Sequence, residues 1–365
     1  MAINLATKYS KEIANAFTLR SVVDGTTNKD YDFTGVKTLN VYTPVTQGLA
    51  DYQRTGTSRY GTPTELQDTM QELMLTRDRS FSITIDKGNN SEQMGAKEAS
   101  RILSIEMNEQ AIPEMDKYAL GRFADYAGKI VALEAAPTSA NIAEKLSDGM
   151  VAMSNKNVPA EGRFIFIGWS CFGALRLSSQ FIGVESLAKS ALVKGAIGTF
   201  MGAQVVVVPD DYLKKGDKTC YFIITHKNSV IQPKKVQDYF VKENPAGING
   251  ALLEGRFIYD AFVLGGRCDG VYAAVASGAQ QTAPGFSYTA NTKKETIFST
   301  GADFILYTTD GTDPRYSSSA VKAVGGSATV DLSGFAGGSA SLKAVAIKDG
   351  VFTSNLAAAE QAVAA

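Results

Sequence analysis

The sequence contains a single histidine, His226, so a catalytic site that uses an imidazole base must be built around it. A Ser/His/Asp or Cys/His nucleophilic site needs such a base beside its nucleophile. His226 stands in ITHKNSV, directly after a predicted strand, where a histidine without catalytic duty is the common case. The chain has no convergent set of titratable residues, and we predict that it is not an enzyme.

The glycines of KGAIGTFMGAQ, which are Gly195, Gly198 and Gly202, resemble a phosphate-binding loop at first sight. Their spacing fits neither G-x-G-x-x-G nor the P-loop, and a predicted strand follows them instead of a helix. Gly128 and Lys129 also lack the hydroxyl residue and upstream glycine of a P-loop. These glycines are predicted to form turns, and no cofactor is expected.

Two acidic groups could offer oxygen ligands or general acids. Asp310, Gly311 and Asp313 lie in YTTDGTDPR, which lacks the fuller ligand series of a calcium loop. Asp-Gly followed by Asp-Pro is turn chemistry, so we predict a surface turn here, with calcium binding as the minor alternative and no metal assigned. Glu114 and Asp116 follow a proline at a predicted helix start, where carboxylates suit the helix dipole, and are expected to be solvated or structural.

The three cysteines, Cys171, Cys220 and Cys268, are odd in number and widely spaced. This pattern argues against a disulfide framework and against a four-ligand zinc site. We predict reduced, buried thiols.

Composition indicates a globular chain long enough for two or three cores, with 365 residues, 44% of them hydrophobic and 20% charged. The formal net charge of -1 argues against a strongly basic binder of duplex DNA. No apolar run is long enough to span a membrane, and the first residues lack the apolar run of a secretory signal. We expect synthesis and folding in a cytoplasm.

A long polar excursion at residues 46–80 precedes a strand in which Phe81, Ile83 and Ile85 alternate with polar residues. Residues 51–63 have no aliphatic side chain, so nothing in this segment can offset its own ordering entropy. An isolated two-stranded arm is marginal in water, so it needs a surface supplied by a neighbouring copy of the same protein. The predicted contact residues of this loop are Arg54, Gly56, Arg59 and Gly61.

Helices and strands follow in an order typical of a mixed α and β protein. A helical stripe begins at Ala96 and runs until Pro113 ends or kinks it, and further helices are predicted over residues 116–128 and after Pro137. The predicted strands that follow cover residues 163–168, 204–209, 219–225, 256–265 and 270–275. After a linker at residues 277–285, short strands are predicted at 296–298, 304–308, 328–332 and 341–347, which is the pattern of a small all-β sandwich.

Several segments resemble, in order along the chain, the major capsid proteins of tailed bacteriophages of the Hong Kong 97 type. They are GLADYQRTGTSRYGTPTE, LTRDRSFSITIDKGNNSE, IPEMDKYALGRFA, GRFIFIG, IGTFMGAQVVVVP and YDAFVLGGRCDGVYA. The resemblance covers residues 1–277 and implies an α+β fold. The parts it implies are an N-terminal arm (1–45), an extended loop (46–80), a peripheral domain with a long helix (81–129), an axial domain (130–255) and closing strands of the peripheral sheet (256–277).

The C-terminal part has a second resemblance. ILYTTDGTDPRYSS and SLKAVAIKDGVFTS look like the immunoglobulin-like modules of chitobiase-type enzymes and of many phage and cell-surface proteins. This implies a separable immunoglobulin-like domain at residues 286–365, facing outward, so that truncation at Gly278 would preserve assembly. Asp310, Gly311 and Asp313 would form its turn. Glycan binding is the minor alternative, since no run of Trp or Tyr selects it.

The first resemblance implies a structural protein that self-assembles, through pentamers and hexamers, into an icosahedral shell around the phage genome. Such a shell encloses DNA without reading its sequence, works with scaffolding and portal proteins, involves no membrane, and is assembled in the host cytoplasm as part of the virion. Two alternatives stay open: an encapsulin-like compartment shell, and a bacterial surface protein with an immunoglobulin-like module.

Overall fold

The structure is a computed structural model that describes residues 21–31, 33, 37–45, 48–55, 57, 59–61, 63, 65, 67–92, 98–178, 182–183 and 196–364. Residues 1–20 of the predicted N-terminal arm lie outside the described residues, as does Gly56 of the predicted contact loop.

The first described strands form a projecting ribbon and one strand of a separate sheet. They are β1 (Thr38–Val45), β2 (Gln67–Met74) and β3 (Arg77–Asp86). β1 and β2 pair antiparallel, from Thr38 opposite Met74 to Val45 opposite Gln67. In β3, Ile85 is buried and Phe81 is half-buried while Thr84 is exposed, so the predicted alternation is confirmed.

A long helical stretch runs from Ala99 to Asp125 with one change of hydrogen-bond pattern. Its parts are α2 (Ala99–Glu106), a π-helical turn (Met107–Ala111) and α3 (Ile112–Asp125); a short α1 (Lys87–Glu92) precedes it, and α4 (Ile142–Ser154) and α5 (Trp169–Arg176) follow. Pro113 does not end the helix. It lies in the first turn of α3, just after the π-helical turn, where a missing N–H costs least. None of the described helices is long and apolar enough to cross a membrane.

The middle of the chain supplies most of the strands. They are β4 (Lys129–Leu133), β5 (Arg163–Gly168), β6 (Ile182–Gly183), β7 (Ala196–Phe200), β8 (Ala203–Val208), β9 (Lys214–Lys215), β10 (Lys218–His226), β11 (Val230–Ile231), β12 (Lys234–Glu243), β13 (Gly250–Tyr259), β14 (Phe262–Val263) and β15 (Val271–Ala276). Short 3₁₀ turns in this part are Asp210–Leu213, Lys227–Ser229 and Gly265–Gly270.

Within the described residues, a central eight-stranded sheet has the order β4-β15-β10-β5-β8-β7-β6, with β9 paired to β10. Apolar layers cover both of its faces. Phe164 and Phe166 of β5 belong to the layer that contains α3, whereas Ile165 and Ile167 belong to the layer that contains α4 and α5. Burial on both faces explains why RFIFIG is a continuous apolar run instead of an alternating one.

A second sheet of the described chain has three long strands in the order β12-β13-β3. β13 pairs with β3 from Gly250 opposite Asp86 to Tyr259 opposite Arg77. The helical stretch packs on this sheet through a small core that includes Met115. β12 and β13 therefore join β3, although they lie mostly inside the range 130–255 that the resemblance gave to the axial domain.

The expectation that both closing strands return to this peripheral sheet is wrong for residues 270–275. β15 lies between β4 and β10 in the central sheet, parallel to β4. Its residues from Val271 to Val275 are all buried. Such a run suits a strand covered on both faces and cannot serve a sheet with one exposed face.

The C-terminal residues form a two-sheet sandwich. Its strands are β16 (Gly285–Thr289), β17 (Lys294–Phe298), β18 (Phe304–Thr308), β19 (Val321–Val324), β20 (Ser327–Asp331), β21 (Ser339–Ile347) and β22 (Ala357–Ala362), with 3₁₀ turns at Ala290–Thr292 and Ser333–Phe335. One described sheet has the order β16-β17-β20 and the other β19-β18-β21-β22. The four strands predicted here match β17, β18, β20 and β21 to within two residues, and the immunoglobulin-like character of the sandwich stays a prediction.

Candidate assembly interface

The β1–β2 ribbon is anchored at its base by a small apolar cluster. Its buried members are Phe33, Leu73, Leu75, Ile231 and Leu264. Because this cluster joins the ribbon to residues far away in sequence, the base of the ribbon is fixed to the body of the protein.

The side chain of Gln71 also fixes the orientation of the ribbon at its base. Gln71 in β2 donates from Nε2 to the carbonyl of Val263 at 3.0 Å, and its Oε1 accepts from the N–H of Gly265 at 2.8 Å. The side-chain amide of Gln71 thus holds the main chain of residues 263–265 in the way a neighbouring strand would. This arrangement fixes the direction in which the ribbon leaves the body.

The buried carboxylate of Asp260 also holds the base of the ribbon, just after the end of β2. It accepts from the N–H of Thr76 at 2.8 Å, from the Thr76 hydroxyl at 2.7 Å and from the Tyr118 hydroxyl at 2.8 Å. Burial and the nearby Asp260 raise the pKa of Tyr118, so its hydroxyl stays a proton donor at neutral pH. The Asp260 side chain ties the ribbon to α3 and β13.

The far end of the ribbon is a polar loop with exposed aromatic side chains. Tyr52 and Tyr60 meet edge to face, with ring centroids 5.0 Å apart, and Tyr60 is 87% exposed. Leu49 is fully exposed, and the N–H of Gln53 donates to the carbonyl of Arg59 at 3.0 Å, which closes the loop. Exposed apolar groups at a projecting tip mark a contact surface.

Of the predicted contact residues, the structure describes Arg54, Arg59 and Gly61, which lie at this tip. Arg54 and Arg59 are exposed, and Gly61 has φ of +85°, a backbone conformation that favours glycine. Tyr52 and Tyr60 were not among the contact residues predicted from the sequence. The available signal was the presence of two aromatic residues in a segment without aliphatic ones.

A second exposed apolar surface lies on β12, an outer strand of the three-stranded sheet. Tyr239, Phe240 and Val241 are consecutive and all exposed, so both faces of this strand carry apolar surface. An outer strand also presents unpaired N–H and C=O groups, which another chain can extend. The strand was not predicted from the sequence.

The remaining candidates for chemistry have structural surroundings. His226 is buried, its Nδ1 accepts from the N–H of Asn228 at 3.2 Å, and burial lowers its pKa, so the imidazole is neutral at pH 7. Asp116 is buried and accepts from the Ser21 hydroxyl at 2.7 Å, and burial raises its pKa. Glu114 forms an exposed ion pair with Arg79.

The glycine and acidic segments form turns or strands. Gly198 lies in β7 and Gly202 in the turn before β8, with φ of +82°, while Gly195 lies outside the described residues. Asp310 accepts from the N–H of Thr312 at 2.9 Å, which closes a turn around Gly311, and Asp313 pairs with Arg315. In the part of the chain that the structure describes, no group of three or more His, Cys, Asp or Glu residues could hold a metal ion.

The three cysteines are free thiols. Cys171 and Cys220 are buried, whereas Cys268 is partly buried. Burial raises the pKa of Cys171 and of Cys268 to about 11 and raises that of Cys220 further, so all three are protonated at neutral pH.

No protein-family model matches the sequence, and no curated protein matches it. Solved structures do match. A structure from Mycobacterium phage Che8 has 17% identity and a TM-score of 0.59, and the match covers 75% of this chain and 98% of that chain. The capsid of cyanophage P-SCSP1u has 14% identity, a TM-score of 0.58 and coverage of 75% and 93%, and the mature capsid of bacteriophage PhiM1 has 12%, 0.56 and coverage of 76% and 93%.

The chain therefore has a fold found in tailed-phage capsid structures, and the predicted fold class is confirmed. The matches cover about three quarters of this chain and nearly all of the matched chains.

Proposed function

We propose that this chain is a major capsid protein, which self-assembles through pentamers and hexamers into an icosahedral shell around a phage genome. The observation that carries the proposal is the capsid fold combined with a ribbon whose base is fixed and whose tip exposes apolar side chains. Structural neighbours of this fold are capsid proteins, which act by assembly and not by catalysis.

The geometry supports assembly in a specific way. Gln71 and Asp260 hold the base of the ribbon, so the tip with Tyr52 and Tyr60 projects in a defined direction toward a neighbouring copy. The apolar edge of β12 offers a second contact. A shell needs several modest contacts for each subunit, and its stability comes from their multiplicity. The same contact surface on each subunit would have to serve rings of five and of six.

The partners follow from the same proposal. A chain with a net charge of -1 can enclose a polyanion without binding it tightly or reading its sequence. Scaffolding and portal proteins would guide and complete the shell. Assembly would take place in the host cytoplasm, before the shell becomes part of the virion.

Electron microscopy and light scattering of the purified full chain test this function. The expected result is closed shells or rings, while the double variant Tyr52→Ser/Tyr60→Ser gives folded subunits that assemble poorly. The control, Val324→Ser, lies on the exposed surface of the sandwich and should leave assembly intact. A monomer at every concentration and salt, even with a scaffolding protein present, contradicts the proposal.

The content of particles made in infected cells separates the two shell functions. Packaged DNA supports the capsid function, whereas particles filled with one enzyme and free of DNA support the compartment shell.

A further inference from the structure

The C-terminal sandwich reaches the end of α3 with two neighbouring side chains. Arg315 Nη1 donates to the carbonyl of Ala127 at 2.6 Å, and the Tyr316 hydroxyl donates to the carbonyl of Tyr126. The last carbonyls of a helix lack partners within the helix, and a cation at this end is favourable. The Arg315 side chain is only 2% exposed and pairs with Asp313, so this contact is built into the interior of the protein.

The opposite end of the Tyr316 side chain lies against Gly265, next to the ribbon. A Cβ atom placed on Gly265 would lie 2.6 Å from Cβ of Tyr316, and one placed on Gly266 would lie 2.5 Å from Cγ2 of Thr43 in β1. The two glycines therefore form a thin layer of main chain between the sandwich and the ribbon. Gly265 also donates its N–H to Gln71 of β2.

The layer formed by Gly265 and Gly266 is a small contact between the sandwich and the ribbon. A cavity of about 280 Å³ lies beside it, lined by residues of β2, by Arg122 and by Arg315 and Tyr316 of the sandwich. This cavity separates the ribbon from the sandwich there, and Gly265 and Gly266 lie between the two at its side.

The sandwich has a second, independent attachment. Phe352 lies in the same apolar core as α3 and β15, and Asn355 pairs with both main-chain groups of Ile130. The loss of the Tyr316 contact therefore leaves the sandwich attached to the body, and its effect on the ribbon can be measured separately.

We propose that the sandwich loop at residues 313–318 is a strut that fixes the direction of the β1–β2 ribbon, through the contact of Tyr316 with Gly265 and of the adjacent Gly266 with Thr43 in β1. Arg315 and Tyr316 are positioning residues for the ribbon. The importance of this direction for assembly rests on the proposed capsid function, whereas the mechanical link itself does not.

Amide hydrogen exchange of the unassembled subunit tests the strut. In Tyr316→Ala, we expect the amide of Gly265 and the paired amides of β1 and β2 to exchange about tenfold faster than in the wild type. The matched control, Asn355→Ala, breaks the other attachment and should speed exchange at Ile130 while the ribbon keeps its protection. Faster exchange confined to residues 313–318 and the end of α3 overturns the strut.

A milder variant covers the case in which Tyr316→Ala does not fold. Arg315→Gln keeps the Tyr316 ring and weakens only the attachment to Ala127, so a smaller acceleration in the same ribbon amides is expected. Arg315→Lys should restore part of the protection, since it retains the charge. An Arg315→Gln subunit with unchanged ribbon exchange overturns the proposal. Failure of the wild type to form shells would refute the proposed function and leave these exchange results valid.

Discussion

The Asn355 side chain pairs with the main chain of Ile130 in both directions, since its Oδ1 accepts from the Ile130 N–H at 2.9 Å and its Nδ2 donates to the Ile130 carbonyl at 2.8 Å. Ile130 lies in β4, the outer strand of the central sheet. A side-chain amide from the sandwich thus occupies the position of an additional strand and covers an edge that would otherwise be open.

The first prediction concerns this pair. Asn355→Ala should lower the free energy of unfolding by about 1–3 kcal/mol, because two main-chain groups lose their partners. Chemical denaturation of the unassembled subunit measures this. Asn291→Ala, on the surface of the sandwich, is the control and should change stability little. Equal stability of the Asn355→Ala variant and the wild type would mean that water replaces the side chain without loss.

The second prediction concerns removal of the whole sandwich. The sequence alone suggested that truncation at Gly278 would preserve assembly. However, Tyr316 and Phe352 belong to the core beneath the central sheet, and their loss should destabilise the body by several kcal/mol, on the order of the cost of large-to-small core substitutions. We therefore expect a truncated chain that is poorly soluble and melts at a lower temperature. A soluble truncated chain that forms normal shells would show that neither folding nor assembly requires the sandwich.

The third prediction concerns the ribbon tip. Deletion of residues 55–61 should leave the subunit soluble and its melting temperature within a few degrees of the wild type, since the tip adds nothing to a core. The same deletion should abolish or strongly slow assembly, as followed by light scattering. A deletion variant that fails to fold would show that the tip serves the subunit and not its neighbours.

The fourth prediction concerns Glu295 in β17, which is buried at 2% exposure and whose Oε2 has no hydrogen-bond partner among the described residues. Burial raises its pKa in the folded state above the unfolded value. The protonated carboxyl is therefore the form that the fold favours. Stability is highest below the unfolded pKa and falls as pH rises through the folded pKa, beyond which the loss is constant.

Glu295→Gln removes this titration. At pH 7 the variant should be more stable by about 1 kcal/mol, which raises the melting temperature by a few degrees at most in a chain of 365 residues. Thermal unfolding between pH 4 and pH 8 measures the effect, with Glu360→Gln on the exposed strand β22 as the control. A Glu295→Gln variant that keeps the pH dependence of the wild type would assign that dependence to another group.

The sequence predicted those parts of the fold in which the hydrophobic pattern of a segment matches the burial of its faces in the structure. The alternation of β3 and the continuous run of β5 follow directly from one-sided and two-sided burial. The partner of β15 could not be predicted, because an apolar run shows that both faces are covered and does not show by which strands. Asp260 was also missed, since a single carboxylate in YDAF carries no signal that Thr76 and Tyr118 converge on it from distant parts of the chain.

The exposed edge of β12 has a consequence for the lifetime of the free subunit. Tyr239, Phe240 and Val241 lie on a strand whose outer main-chain groups pair with no other described strand, so strands from unrelated or misfolded chains can add there as readily as a correct neighbour. The rate at which a growing ring binds free subunits therefore competes with the rate at which they associate irregularly. The yield of regular particles should then depend on how fast subunits are supplied, and slow addition to preformed rings should give more of them than a sudden rise in concentration.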